Sequence, residues 1–419
     1  MSIYSDQNIS TRYVDPRIYV PNTRASWELD FGDSAYLPNM RVGFIGVSNT
    51  SDNEEYSRLL GALSQCRNWR LMDGKTELCS QNAAQFHRGF VNQSDKNSHC
   101  ESVTSQMNCS SVGKTISGQD RKIERIAQTL DSNISPTETN TAWIDLRTIF
   151  PMLNSVSHLP TTIFKNLRVE VEFDVSATSQ VLVDSTKVIN TIRPLLIVDV
   201  ITNPTVVENL NKGLQTATWL EVEHDQFVIP QTVLDGAAGD QLLVQNTNVK
   251  LNGFNNKRVE RLLMVKEISD PGKEVVNNIV QGFGKYSSQA CFRQKVQFRI
   301  NGSNILPRNG ITQNNQRLAH VVDVFGDQAN YIGSNQYGGV GGNVSVMTRG
   351  LEFLGQLDYV GVYVGDYIND LQIQYERTGL QDTGLKRATT STLIAHVYCE
   401  VRKQFMLGAN GTYNITYTQ

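Results

Sequence analysis

The sequence predicts an all-β protein built from two similar halves, and three observations carry that expectation. The stretch LRVEVEFDVS (167–176) alternates strictly: Leu167, Val169, Val171, Phe173 and Val175 point one way, Arg168, Glu170, Glu172, Asp174 and Ser176 the other. Successive side chains leave a pleated strand on opposite faces, so this period of two describes a strand that buries one face and wets the other. In the second half LQIQYER repeats the pattern, with Leu371, Ile373 and Tyr375 set against Gln372, Gln374 and Glu376. Third, strand-like runs ending in Gly, Asn or Asp recur along both halves while helical spacing is scarce. Many strands with frequent turns indicate sandwiches or barrels rather than a parallel α/β sheet.

Taken in order, the first half opens with SWELDFGD (26–33) and MRVGFIGVS (40–48), joined by the turn-rich SAYLPN. A polar excursion rich in Ser, Asn and Gln follows, over residues 50–140, and reads as an elaborated loop with two helices. The first helix starts at a capping box, Ser51 with Glu54, and places Tyr56, Leu59, Leu60 and Leu63 on one face; the second aligns Ile123, Ile126, Ala127 and Leu130. Such stripes are usually core, so both are expected as lids on a sheet. Strands resume with AWIDLRTIF (142–150), the alternating stretch, SQVLVDS, and NTIRPLLIVDVIT (190–202). NPTVVENLNKGLQT, with its Pro, Asn and Gly, is the expected junction, dividing the chain into 1–205 and 206–419.

The second half begins with a strand over 216–230, where Trp219, Val222 and Phe227 are apolar but the alternation slips midway, which predicts a bulge. LLVQNTNVKL, KRVERLLMVKEI, FRQKVQFRINGS, LDYVGVYVGDYI, LQIQYER and TLIAHVYCEVRKQFML complete the strands, and GKEVVNNIV (272–280) is at most a short helix.

Composition fits this organisation. At roughly 150 residues per domain, 419 residues would suit three domains, but sandwiches run longer and two fit equally well. Hydrophobic content of 39% and charged content of 19% describe a globular chain. A net charge of −3 without a basic block lacks the electrostatic footprint of a nucleic-acid binder. MSIYSDQNIS has neither the basic start nor the apolar core of a secretory signal, and PLLIVDVI, broken by Asp199, falls short of the ~20 residues a membrane helix requires. Synthesis and folding are expected in the cytosol or a similar reducing space.

The chemical motifs do not assemble into a site. Cys66, Cys79, Cys100 and Cys109, with His87 and His99 nearby, lack the close pairing of structural zinc ligands and read as buried thiols, with any bond among them left open. Cys291 and Cys399 sit in strand-like runs as small core residues. SSVGKT (110–115) ends like a phosphate-binding loop but has Asn108 where the first glycine is needed, and YGGVGGN (337–343) lacks dinucleotide-binding spacing. His396, inside a strand, reads as structural, and Glu170 with Glu172 as a solvated or subunit-facing pair rather than a glycosidase dyad. Sequons at Asn8, Asn92, Asn301, Asn343 and Asn414 are what an Asn- and Ser-rich chain generates by chance. No catalytic, cofactor-binding or metal-binding residue is assigned.

Two longer stretches add a resemblance. WIDLRTIFPMLNSVSHLPTTIFKNLRVEVEFD (143–174) resembles the end of the first roll in double jelly-roll major capsid proteins, and NDLQIQYERT through TLIAHVYCEVRKQFML (369–407) resembles the closing strands of the second. The likeness is to the compact capsid proteins of virophages, polinton-like viruses and related eukaryotic DNA viruses, including relatives of the nucleocytoplasmic large DNA viruses. It implies two consecutive eight-stranded antiparallel jelly rolls, the first carrying a helix-containing loop insertion, and no enzymatic activity. It further implies a homotrimer of pseudo-hexagonal outline that meets neighbouring trimers in an icosahedral shell. Penton and minor or cement proteins would be further partners, an internal membrane beneath the shell is admitted, and sequence-specific nucleic-acid binding is not expected. The chain would reside in the virion after synthesis and assembly in the host cytoplasm or nucleus. Rigid rolls with short edges suit such tiling, and low net charge suits a surface that meets copies of itself. Two other readings stay open: a scaffolding protein with the same two rolls, and a β-sandwich carbohydrate binder, for which Trp27, Trp69, Trp143 and Trp219 are too dispersed to line a cleft.

Overall fold

Four antiparallel sheets pair into two sandwiches, and the two alternating stretches occupy equivalent central strands. The computed structural model describes residues 9–21, 23–44, 66–82, 115–116, 119–120, 142–173, 194–213, 216–230, 242–268, 293–307, 310, 360–380, 393–408 and 411–418.

The first half contributes β1 (Ile9–Val14), β2 (Ile18–Val20), β3 (Arg24–Glu28), β4 (Ala35–Tyr36), β5 (Arg41–Phe44), β6 (Cys66–Asp73), β7 (Thr76–Asn82), β8 (Thr115–Ile116), β9 (Gln119–Asp120), β10 (Ala142–Asp145), β11 (Leu159–Pro160), β12 (Leu167–Phe173) and β13 (Leu195–Ile201). Among the described residues β8 and β9 pair only with each other. In one sheet β1 lies along one side of β13, β5 and β4 lie along the other, and β10 and β11 follow outside them. The facing sheet runs β2-β3-β12-β6-β7.

The second half contributes β14 (Thr216–Ile229), β15 (Leu242–Leu251), β16 (Lys257–Ile268), β17 (Arg293–Ile300), β18 (Ser303–Asn304), β19 (Val360–Ile368), β20 (Leu371–Leu380), β21 (Leu393–Leu407) and β22 (Tyr413–Tyr417). Its sheets run β14-β21-β16-β19, with β22 added beside β21, and β15-β20-β17-β18.

Counting β14 to β21 from one to eight gives sheets ordered 1-8-3-6 and 2-7-4-5. Counting β1, β3, β5, β6, β7, β10, β12 and β13 in the same way gives the same two orders. First pairs with last, second with seventh, third with sixth and fourth with fifth, which is the wrapping of an eight-stranded jelly roll. β12 stands between β3 and β6, and β20 between β15 and β17, so the repeated sequence pattern marks strand seven of each roll. In β12 every second residue from Leu167 to Phe173 is buried while Arg168, Glu170 and Glu172 face outward; in β20, Leu371, Ile373 and Tyr375 are buried.

Several expectations are corrected. The excursion is not one loop, because β6 and β7 lie within it and form a hairpin turned at Gly74 with φ 58°. That hairpin sends Trp69, Leu71 and Cys79 into the first core, where Trp69 meets Phe150 edge-on at 6.4 Å. The helices expected near 51–63, 123–130 and 272–280, and the SQVLVDS strand, lie outside the described residues. AWIDLRTIF is a strand only to Asp145, whose carboxylate accepts from Arg147 N at 2.9 Å and opens a 3-10 turn, Leu146–Thr148, followed by α1 (Met152–Ser155). The junction passage is helical, α2 (Pro204–Gly213). Asn203 caps it by accepting from Thr205 N at 3.1 Å, and Pro204 sits at the first helical position, where its missing N–H costs nothing.

The bulge expected in β14 is also absent. Its pairing with β21 is unbroken from Thr216↔Met406 to Ile229↔Leu393, and the irregularity lies instead in β16, between Val259 and Arg261.

Candidate assembly site: the joint between the two sandwiches

β14 and β21 serve both cores. On one face of β14, Phe227 and Ile229 enter the second core, whereas Ala217 and Trp219, further up the same face, enter the first. β21 repeats the division, with Ala395, Val397, Cys399 and Val401 in the second core and Phe405 in the first. The opposite face of this sheet is buried too, since Val222, Tyr398 and Leu263 belong to the first core. A strand covered on both faces loses its alternation without a bulge, which is why the pattern slips in 216–230.

Glu221 lies at the centre of the joint with 1% of its surface exposed. Its carboxylate accepts from Trp219 Nε1 at 2.8 Å and, across to the first sandwich, from Ser80 N at 2.7 Å and Cys79 Sγ at 3.0 Å. Lys403 Nζ stands 3.8 Å away. A buried carboxylate is tolerable only when such donors replace water. Burial, reinforced by the negative charge of Glu221, pushes the Cys79 thiol well up, so it stays protonated and donates.

A second contact is aromatic. Phe164 of the first half packs 5.6 Å from Phe405 and 5.4 Å from Tyr413, which are themselves 5.3 Å apart. The Tyr413 hydroxyl donates to Asp73 at 2.7 Å, and burial together with that carboxylate raises its pKa. β22 is pinned at its other end by Tyr417, whose hydroxyl donates to Glu223 at 2.7 Å under the ammonium groups of Lys257 and Lys403, 4.9 and 5.4 Å from the ring. Lys257 closes the cluster by pairing with Glu223 at 2.5 Å. The third contact is α2: the His158 ring donates from Nε2 to the Leu210 carbonyl at 2.9 Å and accepts at Nδ1 from Ser157 at 2.7 Å. Burial lowers the pKa of His158, which suits this neutral tautomer.

No family model matches the chain, and no curated protein matches it in sequence. Solved structures do match. PBCV-1 VP54, in a structure fitted into a reconstruction of the virophage Sputnik, aligns over 100% of this chain and 99% of its own, with TM-score 0.55 and 11% identity. The mavirus major capsid protein aligns over 100% and 91%, with TM-score 0.54 and 8% identity. A Sputnik virophage structure aligns over 98% and 88%, with TM-score 0.51 and 9% identity. The fold is the double jelly roll. At such identities the likeness is one of architecture, and it spans both rolls together with the joint.

The double jelly roll places the residues singled out from the sequence as follows. Glu170 pairs with Arg168 at 2.7 Å and Glu172 accepts from Asn68 at 2.5 Å, both on the outer face of strand seven of the first roll. His396 meets His224 ring to ring at 2.9 Å. Cys66, Cys79 and Cys399 are buried thiols outside any disulfide; Cys100, Cys109, Cys291, His87 and His99 lie outside the described residues, as does YGGVGGN and all of SSVGKT but Thr115. Among the described residues no group of three or more His, Cys, Asp or Glu could hold a metal ion, and no helix is long and apolar enough to cross a membrane. Asn301 occupies a left-handed turn position, with its amide donating to Tyr367 O at 2.7 Å and accepting from Asn369 N at 2.8 Å. Asn414 lies in β22, and the other sequons lie outside the described residues. Sequence reasoning missed Glu221 and the β6–β7 hairpin. The hairpin had a legible signal in Asp73-Gly74, a dipeptide that favours tight turns; Glu221 had none, since its partners Cys79 and Ser80 are remote in sequence.

Proposed function

We propose that this chain is a major capsid protein, a structural shell subunit without catalytic activity, and that it divides into rolls at 1–205 and 206–419. Three chains form a pseudo-hexagonal homotrimer, and trimers tile an icosahedral virion with penton and minor or cement proteins at specialised positions. The observation that carries the reading is the repetition of one strand order in both rolls, joined through shared strands. Two like walls per chain give six like walls per trimer, so near-sixfold contacts arise from a closed threefold assembly. Whole-chain alignment with capsid proteins of similar length supports the same use.

Light scattering on the purified chain tests this. The expected mass is three times the 46.8 kDa of one chain, with pseudo-hexagonal particles in negative stain. A monodisperse monomer that binds glycans overturns the reading in favour of a carbohydrate-binding sandwich. Trimers that help shells form yet are missing from purified virions overturn it in favour of a scaffold.

A further inference from the structure

The face of β14, β21 and β16 that supplies Val222, Tyr398 and Leu263 to the first core also carries two histidines. His224 Nε2 lies 2.9 Å from His396 Nδ1, with the two ring centroids 5.1 Å apart and their planes inclined by 27°, and the Tyr398 ring 5.1 Å from His224. One ring must donate and the other accept, so at least one of the two is neutral. If both rings carried two protons, N–H would face N–H across that gap.

We propose that this pair is an acid-sensitive latch at the joint: a second proton on the pair drives the rings apart and loosens the contact between the sandwiches. Among the described residues, the charged groups on the elements around the pair hold other partners. On the same face, the nearest carboxylate along β21 is Glu400, already bound to Arg261 of β16 at 2.5 Å. On β14, Glu223 and Asp225 project from the opposite face, where Glu223 holds Lys257 and Tyr417 of β22. Of the first-sandwich elements packed on β14, α1 is Met-Leu-Asn-Ser and has no titratable group. β7 directs Cys79 at Glu221, and its Glu77 acts on Tyr417. Burial, with the charge of His396 adding to it, depresses the pKa of His224, in keeping with a His224 ring that stays neutral until the medium is acidic.

The test is independent of shell assembly and uses the purified chain. The Ser80 amide, which crosses the joint to Glu221, is the reporter. Its deuterium exchange, corrected for the intrinsic rate, is measured between about pH 7.5 and about pH 4. Protection is expected to fall by at least about ten-fold on acidification in the wild type, and to stay level in His224→Gln and His396→Gln, which keep an amide for the hydrogen bond and cannot titrate. An acid-induced loss equal in the wild type and both variants, or no loss in the wild type, overturns the proposal. Should the variants fail to fold, NMR titration of the wild-type rings decides: coupled titration that coincides with Ser80 opening supports the latch, and two independent ordinary imidazoles refute it.

Discussion

Replacing Glu221 by alanine removes the acceptor on which the joint converges. Ser80 N and Trp219 Nε1 lose their partner in a buried site, at about 1–3 kcal/mol for each unsatisfied donor. Lys403, 15% exposed, is left without its nearest carboxylate. Breaking a buried ionic contact from one side costs about 3–5 kcal/mol, and since these terms overlap we take about 3–5 kcal/mol as the whole effect. Glu221→Gln keeps one oxygen acceptor but turns an NH2 toward a donor, so about 2 kcal/mol is expected. Urea denaturation followed by both tryptophan fluorescence and far-UV circular dichroism reads these losses. Because Glu221 binds the first sandwich from a strand of the second, the alanine variant should also separate into two transitions, one per sandwich. A Glu221→Ala variant within about 0.5 kcal/mol of wild type, unfolding in one coincident transition, would refute the role given to this carboxylate.

Stability should also depend on pH through His224, whose pKa falls from 6.5 to about 4 on folding. The unfolded chain then binds the proton more readily, so the stabilisation is present above about pH 6.5 and is lost as pH falls toward about 4, by up to about 3 kcal/mol; urea midpoints across that range should flatten in His224→Gln. Phe164→Ala empties the aromatic contact with Phe405 and Tyr413 and should cost about 3–5 kcal/mol in the same denaturation assay, whereas Phe164→Leu should cost much less.

What the sequence made legible follows from how far apart the cooperating residues lie. β12 and β20 declared themselves because each carries its whole signal locally, in seven or so residues whose two faces meet different media. The β6–β7 hairpin was hidden by its setting, since CRNWRLMDGKTELCSQN lies within a long polar excursion and interrupts its apolar positions with Asn and Arg. α2 reads as a junction in the sequence because Pro and Gly break regular structure, although Pro at the start and Gly at the end of a helical turn pattern also mark a capped helix. The joint was not legible at all: Glu221 acquires meaning only beside Cys79 and Ser80, and His224 only beside His396, and no local pattern records those pairings.

The slip in β14 then has a structural use. Two domains connected by α2 alone would be expected to move against one another, as domains with small polar interfaces do. Here their relative position is inherited from a ladder, because the fourteen residues of β14 pair in one register with β21 while their side chains feed first one core and then the other. Shifting that register by one residue would turn Phe227 and Ile229 out of the second core and, in the same step, Trp219 and Glu221 out of the first. Each core therefore enforces the register that the other needs, and the angle between the rolls is held by the same backbone hydrogen bonds that hold the sheet. For the proposed shell role such a joint supplies what a flexible linker could not: the orientation of one roll against the other is set during folding.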